Sequence, residues 1–184
     1  MYIWTAIDVD DQLASIKQEA KRIEKVVLFK DSNITLPLHI SLKISCPIPD
    51  DKYEDVVADV RNILKTCEQF VIQIKRIELH ETIAWIMMES NEHLEGLHAE
   101  LDTLFMEKYG VAPHRFDMDF AFHTTLFLDS DADKVKEAFL MIKDAELPPK
   151  LIVEKFVIGM SPEGKVGTYK VMEEIPLNKP FLEV

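Results

Sequence analysis

Apolar and polar positions alternate in two short stretches of this chain, and in both the polar side carries a histidine and a hydroxyl residue. In Leu38-His39-Ile40-Ser41-Leu42 a period of two puts His39 and Ser41 on one face of a strand and Leu38, Ile40 and Leu42 on the other. Phe122-His123-Thr124-Thr125-Leu126 repeats the arrangement, with His123 and Thr125 together. The same patterning lays out the rest of the chain. Residues 1–8 read as a β-rich strand. Asp10 or Asp11 is placed to cap a helix reaching about Leu28, with Leu13, Ile16, Ala20, Ile23 and Val27 at helical spacing. After a loop at Asp31-Ser32-Asn33 comes the first histidine strand, about Leu38 to Ser45, and then a helix from about Lys52 to Thr66. Phe70 to Leu79 and Thr82 to Met88 read as a hairpin turning at His80-Glu81.

The second half offers a helix from about Glu92 to Lys108, closed by Gly110 and Pro113. The second histidine strand follows, about Asp119 to Leu128, then a helix from about Asp133 to Lys143. Leu151 to Met160 and Val166 to Glu173 form a last hairpin, and the tail with Pro176 and Pro180 has no regular signal. Each half thus runs helix, histidine strand, acidic turn, helix, hairpin. The expected fold is α+β: residues 1–184 as one bilobal domain, each lobe an antiparallel sheet flanked by helices, the two related by a pseudo-twofold around a central cleft.

Composition narrows the function. A formal net charge of −12, with no extended Lys/Arg cluster, argues against gripping duplex DNA, which calls for a basic stripe; a small nucleotide or the end of a short RNA needs only a few local donors. No apolar run reaches membrane-spanning length and no signal peptide opens the chain, so a cytoplasmic protein without membrane attachment is expected, read as a monomer. Cys46 and Cys67 lack metal-ligand spacing and are read as free thiols. His93 and His98 lie five apart on a helix, a poor metal pair, with His80 in a turn and His114 in a loop; neither metal nor cofactor is expected.

Two His-x-[Ser/Thr]-Leu matches among six histidines arise in roughly one shuffled chain in a thousand. On that duplication the chain resembles the 2H phosphoesterases, the 2′-5′ RNA ligase-like or cyclic phosphodiesterase superfamily, and Tyr2-Ile3-Trp4-Thr5-Ala6-Ile7 is similar to that family's first strand. The resemblance implies that His39 and His123 are the acid/base pair and that Ser41 and Thr125 hold the phosphate oxygens. It implies hydrolysis of a 2′,3′-cyclic phosphate or 2′-5′ phosphodiester in a small nucleotide or RNA end, with ligation as the same chemistry reversed. A non-catalytic nucleotide- or RNA-end-binding module on the same fold is the alternative. The chemistry suits the residues: in-line displacement takes a proton on one side of phosphorus and gives one on the other, and imidazole does both near neutral pH. Many members follow one motif with a basic residue, whereas here Leu126-Phe127-Leu128-Asp129 follows Thr125; Lys43, two past Ser41 and on the same face by alternation, is expected to supply that charge. Trp4 and Tyr169 are candidates for stacking a base, with core or rim packing as the plainer alternative.

Overall fold

A computed structural model describes residues 1–28, 36–114, 116–117, 120–165 and 168–177. The predicted loop at Asp31–Asn33 and the predicted positions of Asp119, Val166 and Pro180 lie outside the described residues. The chain runs β1 (Tyr2–Asp8), α1 (Ala14–Ile23, continued by a π-helical turn Glu24–Leu28), β2 (His39–Pro47), α2 (Tyr53–Leu64), β3 (Phe70–His80) and β4 (Ile83–Met88). Then follow α3 (Glu92–Tyr109), β5 (His123–Leu128), α4 (Ala132–Ile142), β6 (Lys150–Val153), β7 (Lys155–Ser161) and β8 (Lys170–Pro176).

Two antiparallel four-stranded sheets result, ordered β2-β1-β7-β8 and β5-β4-β3-β6. Each histidine strand is an edge of its sheet, and these two edges face one another across the molecule. The lobes are therefore not the two halves of the chain. The hairpin β3–β4 pairs with the second histidine strand, and β7–β8 joins the first sheet through β1. The predicted strand Leu151–Met160 is split at Glu154: Lys150–Val153 belongs to one sheet and Lys155–Ser161 to the other, so the chain crosses between lobes there.

Helical periodicity places the core where the sequence indicates. Leu13, Ile16, Ala20, Ile23 and Val27 are buried, as are Val56, Val57, Val60 and Leu64 of α2. Asn91 caps α3 by accepting from the Leu94 N–H, and Gly110 closes it in the left-handed conformation at φ 67°. Asp131 caps α4 in the same way as Asn91 caps α3. The predicted Asp cap of α1 is not made: the helix starts at Ala14 without a side-chain cap. Asp10 instead accepts from the Leu38 N–H at 2.7 Å and pairs with Lys17, anchoring the chain one residue before His39. The helices cross over too. α1 packs against β5 and α3 against β2, so each helix that precedes a histidine strand supports the other lobe's histidine. No helix among the described residues is long and apolar enough to cross a membrane.

Candidate active site

His39 and His123 are held alike. The Nδ1–H of His39 donates to the Pro37 carbonyl at 2.9 Å, and that of His123 to the Ala121 carbonyl at 2.7 Å. A carbonyl only accepts, so both rings carry their proton on Nδ1 and keep Nε2 as the free basic nitrogen. Their strands β2 and β5 are in contact, and charge on His123 is felt at His39. Burial pushes both imidazoles below their ordinary value, and each carbonyl tether pulls partly back. Their neighbours differ. His39 faces Asp8 across the β1–β2 ladder, and that carboxylate favours a proton on His39; His123 lies near His80, whose charge opposes one.

Ser41 and Thr125 accompany the histidines as alternation requires, both half-buried on the cleft face. The Ser41 hydroxyl accepts from Trp4 Nε1 at 3.4 Å, while the Thr125 hydroxyl has no protein partner among the described residues. Neighbouring Thr124 is turned to the core, 1 % exposed. The two motifs also end alike. Register shifts in β1–β2 and β4–β5 put an extra residue into each histidine strand just beyond the hydroxyl. As a consequence Leu42 and Lys43 are both buried, and so are Leu126 and Phe127.

That bulge corrects the expectation for Lys43. Strict alternation would have placed it on the cleft face; the extra residue turns it into the interior, 2 % exposed. Its ammonium lies 2.6 Å from Asp102 and 2.7 Å from Asp117, and His98 of α3 completes the cluster, donating from Nδ1 to the Leu42 carbonyl at 2.7 Å. Lys43 is thus a structural cation and is not available to a substrate. Ligand atoms of His98, Asp102 and Asp117 lie within 4.8 Å of one another, a spacing a metal ion could use, but the Lys43 ammonium already sits against both carboxylates. The rings of His80, His93 and His114 supply no ligand atom to that cluster, although the His114 backbone N–H donates to Asp117 at 2.6 Å. Trp4 is also corrected. Only 5 % exposed, it packs with Ala6 and Val157 over Gly159 and meets the His39 ring edge-on at 4.5 Å, leaving no face for a base. A Cβ on Gly159 would fall 2.1 Å from that indole, which is why glycine stands there. Tyr169 is half-buried on the same wall, its hydroxyl bonded to Ser45.

Sequence reasoning missed Trp85 and His80. Trp85 lies tilted against His123 with ring centres 4.0 Å apart, and His80, read as a turn residue, packs on Trp85 at 4.3 Å. The available signal was the hairpin register: residues 80 and 85 share the polar face of β3–β4. Cys46 and Cys67 are free thiols, and burial pushes Cys46 up to about 11, which leaves it protonated and unreactive.

The fold has solved counterparts. TT0787 of Thermus thermophilus superposes with a TM-score of 0.63 at 20% identity, covering 96% of this chain and 98% of that one. E. coli LigT in its apo form gives 0.59 at 16%, covering 96% and 97%. LigT has also been solved with 3′-AMP, at 15% identity, a TM-score of 0.54 and coverage of 96% and 98%. No curated protein matches by sequence. The model of one family, the 2′-5′ RNA ligase superfamily, matches residues 9–161, and the chain belongs to that superfamily, the 2H phosphoesterases.

Proposed function

We propose that the protein is a metal-independent phosphodiesterase that opens a 2′,3′-cyclic phosphate or cleaves a 2′-5′ linkage in a small nucleotide or RNA end. Membership of the superfamily supports phosphoesterase chemistry, and LigT, solved with 3′-AMP and with phosphate, supports a nucleotide-sized ligand. The observation that carries the reading is the pair of Nδ1-tethered imidazoles on facing edge strands, each with a hydroxyl two residues on.

The proton exchange follows from the neighbours of each ring. Asp8 stands opposite His39 across the β1–β2 ladder, and on that placement the proton is assigned to His39, against the opposing pull of burial and of charge on His123. His80 opposes a proton on His123. His123 Nε2 therefore takes a proton from the attacking water as its oxygen bonds to phosphorus. His39 gives its Nε2 proton to the ribose oxygen as that P–O bond breaks. The two rings then stand with exchanged protons, reset through solvent. The Ser41 and Thr125 hydroxyls donate to the non-bridging oxygens, whose charge grows towards the transition state, so they act where stabilisation raises the rate.

The test is turnover of 2′,3′-cyclic AMP and of 2′-5′ oligoadenylate by the purified protein in EDTA. The reading predicts opening or cleavage of at least one of them, with a bell-shaped pH profile. Tight binding of both without turnover would make it a binding module instead.

A further inference from the structure

The wall of the second lobe beyond His123 carries charge that the proton exchange does not use. Alternation along β3 places Arg76, Glu78 and His80 on the face that also bears Trp85 of β4 and His123 of β5. The Glu78 carboxylate holds both neighbours: one oxygen meets Arg76 Nη2 at 2.7 Å and the other accepts from His80 Nε2 at 3.0 Å. A single indole separates His80 from His123, so the half-exposed imidazole stands one ring beyond the catalytic one. Because Glu78 takes the Nε2–H, Nδ1 of His80 is the nitrogen left for a ligand, and it has no protein partner among the described residues. An anion at Nδ1 and a carboxylate at Nε2 together hold such a ring as an imidazolium, two N–H donors facing two acceptors. Arg76, with its guanidinium largely exposed, keeps further N–H donors on the same face. In a chain of net charge −12, an arginine and an imidazole around one carboxylate gather N–H donors on one exposed face, where an anion can be met.

We infer that His80, with Arg76, forms a subsite for a second phosphate, one nucleoside away from the phosphate held between His39 and His123. The ligand class is a nucleotide with two phosphate groups: a nucleoside 3′,5′-bisphosphate, or an RNA end whose penultimate phosphate reaches the subsite. The inference rests on the phosphate-binding reading of the central cleft, and its test is made by binding so that it does not depend on turnover.

Calorimetric titration with 3′-AMP and with adenosine 3′,5′-bisphosphate, on the wild type, His80→Ala and His80→Lys, decides it. The expected result is a preference of about tenfold or more for the bisphosphate, the size of one charge-assisted contact, in the wild type. His80→Ala should bring the two ligands within about twofold of each other by weakening the bisphosphate alone, and His80→Lys should keep the preference. Equal affinity of the wild type for the two ligands, no binding of either, or an equal loss of both in His80→Ala would overturn the subsite. The two readings separate cleanly: a His80-dependent preference in a protein that neither opens a cyclic phosphate nor cleaves a 2′-5′ linkage upholds the subsite and overturns the reaction. Binding of a dinucleotide ending in a 2′,3′-cyclic phosphate, set against 2′,3′-cyclic AMP and adenosine 3′,5′-bisphosphate, then distinguishes the RNA end from the free bisphosphate as the ligand.

Discussion

The two lobes hold their histidines in the same way and surround them with opposite walls. Each imidazole is tied through Nδ1 to the carbonyl two residues before it, each hydroxyl follows at the next cleft-facing position, and each strand bulges immediately afterwards. The matching positions around them differ in content. Ala6 lies opposite Ser41 where Trp85 lies opposite Thr125, and Gly159 beside Trp4 answers to His80 beside Ile83. The first wall is closed and apolar, while the second is aromatic and charged. Beneath the walls the bulge buries Lys43 in an ionic cluster on one side and Phe127 in the apolar core on the other. What the lobes share is the geometry that aims a histidine. What fills the space behind it varies freely, provided the buried group is satisfied.

The comparison breaks most visibly at Lys43. Lys43→Met leaves two carboxylates without their ammonium, and denaturant unfolding should show a loss of about 3–5 kcal/mol; a loss under about 1 kcal/mol would mean that the cluster contributes no more than an apolar filling does. Next in size is Gly159→Ala. The added methyl collides with Trp4, so stability should fall by about 1–3 kcal/mol, and kcat should fall with it as His39 and Ser41 lose their indole neighbour. Wild-type kcat in that variant would show that the first wall merely lines the cleft.

The smallest expected effect concerns the asymmetry in charge. Removing the carboxylate in Asp8→Asn lowers the affinity of His39 for its proton, so the alkaline limb of kcat/KM should move to lower pH while the acid limb, set by His123, stays. Movement of the acid limb instead would exchange the roles of the two rings. Burial holds both folded imidazoles below the ordinary value of about 6.5, so the folded state binds fewer protons than the unfolded one. Their contribution to stability is therefore present above that value and is lost as the pH falls below it.

Much of this was legible along the chain because it is local. The strands, the helical faces and the pairing of His39 with Ser41 and of His123 with Thr125 follow from periods of two and 3.6. The allotment of hairpins to lobes was not, since register between strands more than a hundred residues apart leaves no local mark; β1 pairing with β7 is the case in point. Likewise nothing in the apolar run 151–160 announces that the chain changes sheets at Glu154. The bulge was half legible. Two consecutive apolar residues, Leu126-Phe127, break the alternation openly, whereas Leu42-Lys43 keeps it and conceals the same backbone event behind a charged side chain. Asp10 illustrates a competition that sequence cannot decide, because a carboxylate near a helix start can cap it or capture a distant N–H, here that of Leu38.

The central claim is that His39 and His123 act as one unit on a single phosphorus atom, and the most direct measurement is single-turnover opening of 2′,3′-cyclic AMP in EDTA by His39→Ala, His123→Ala and the double variant. The account predicts that each single substitution costs about 10²–10⁴-fold and that the double costs no more than the worse single. Losses that multiply in the double variant, or a single variant of wild-type rate, would contradict it.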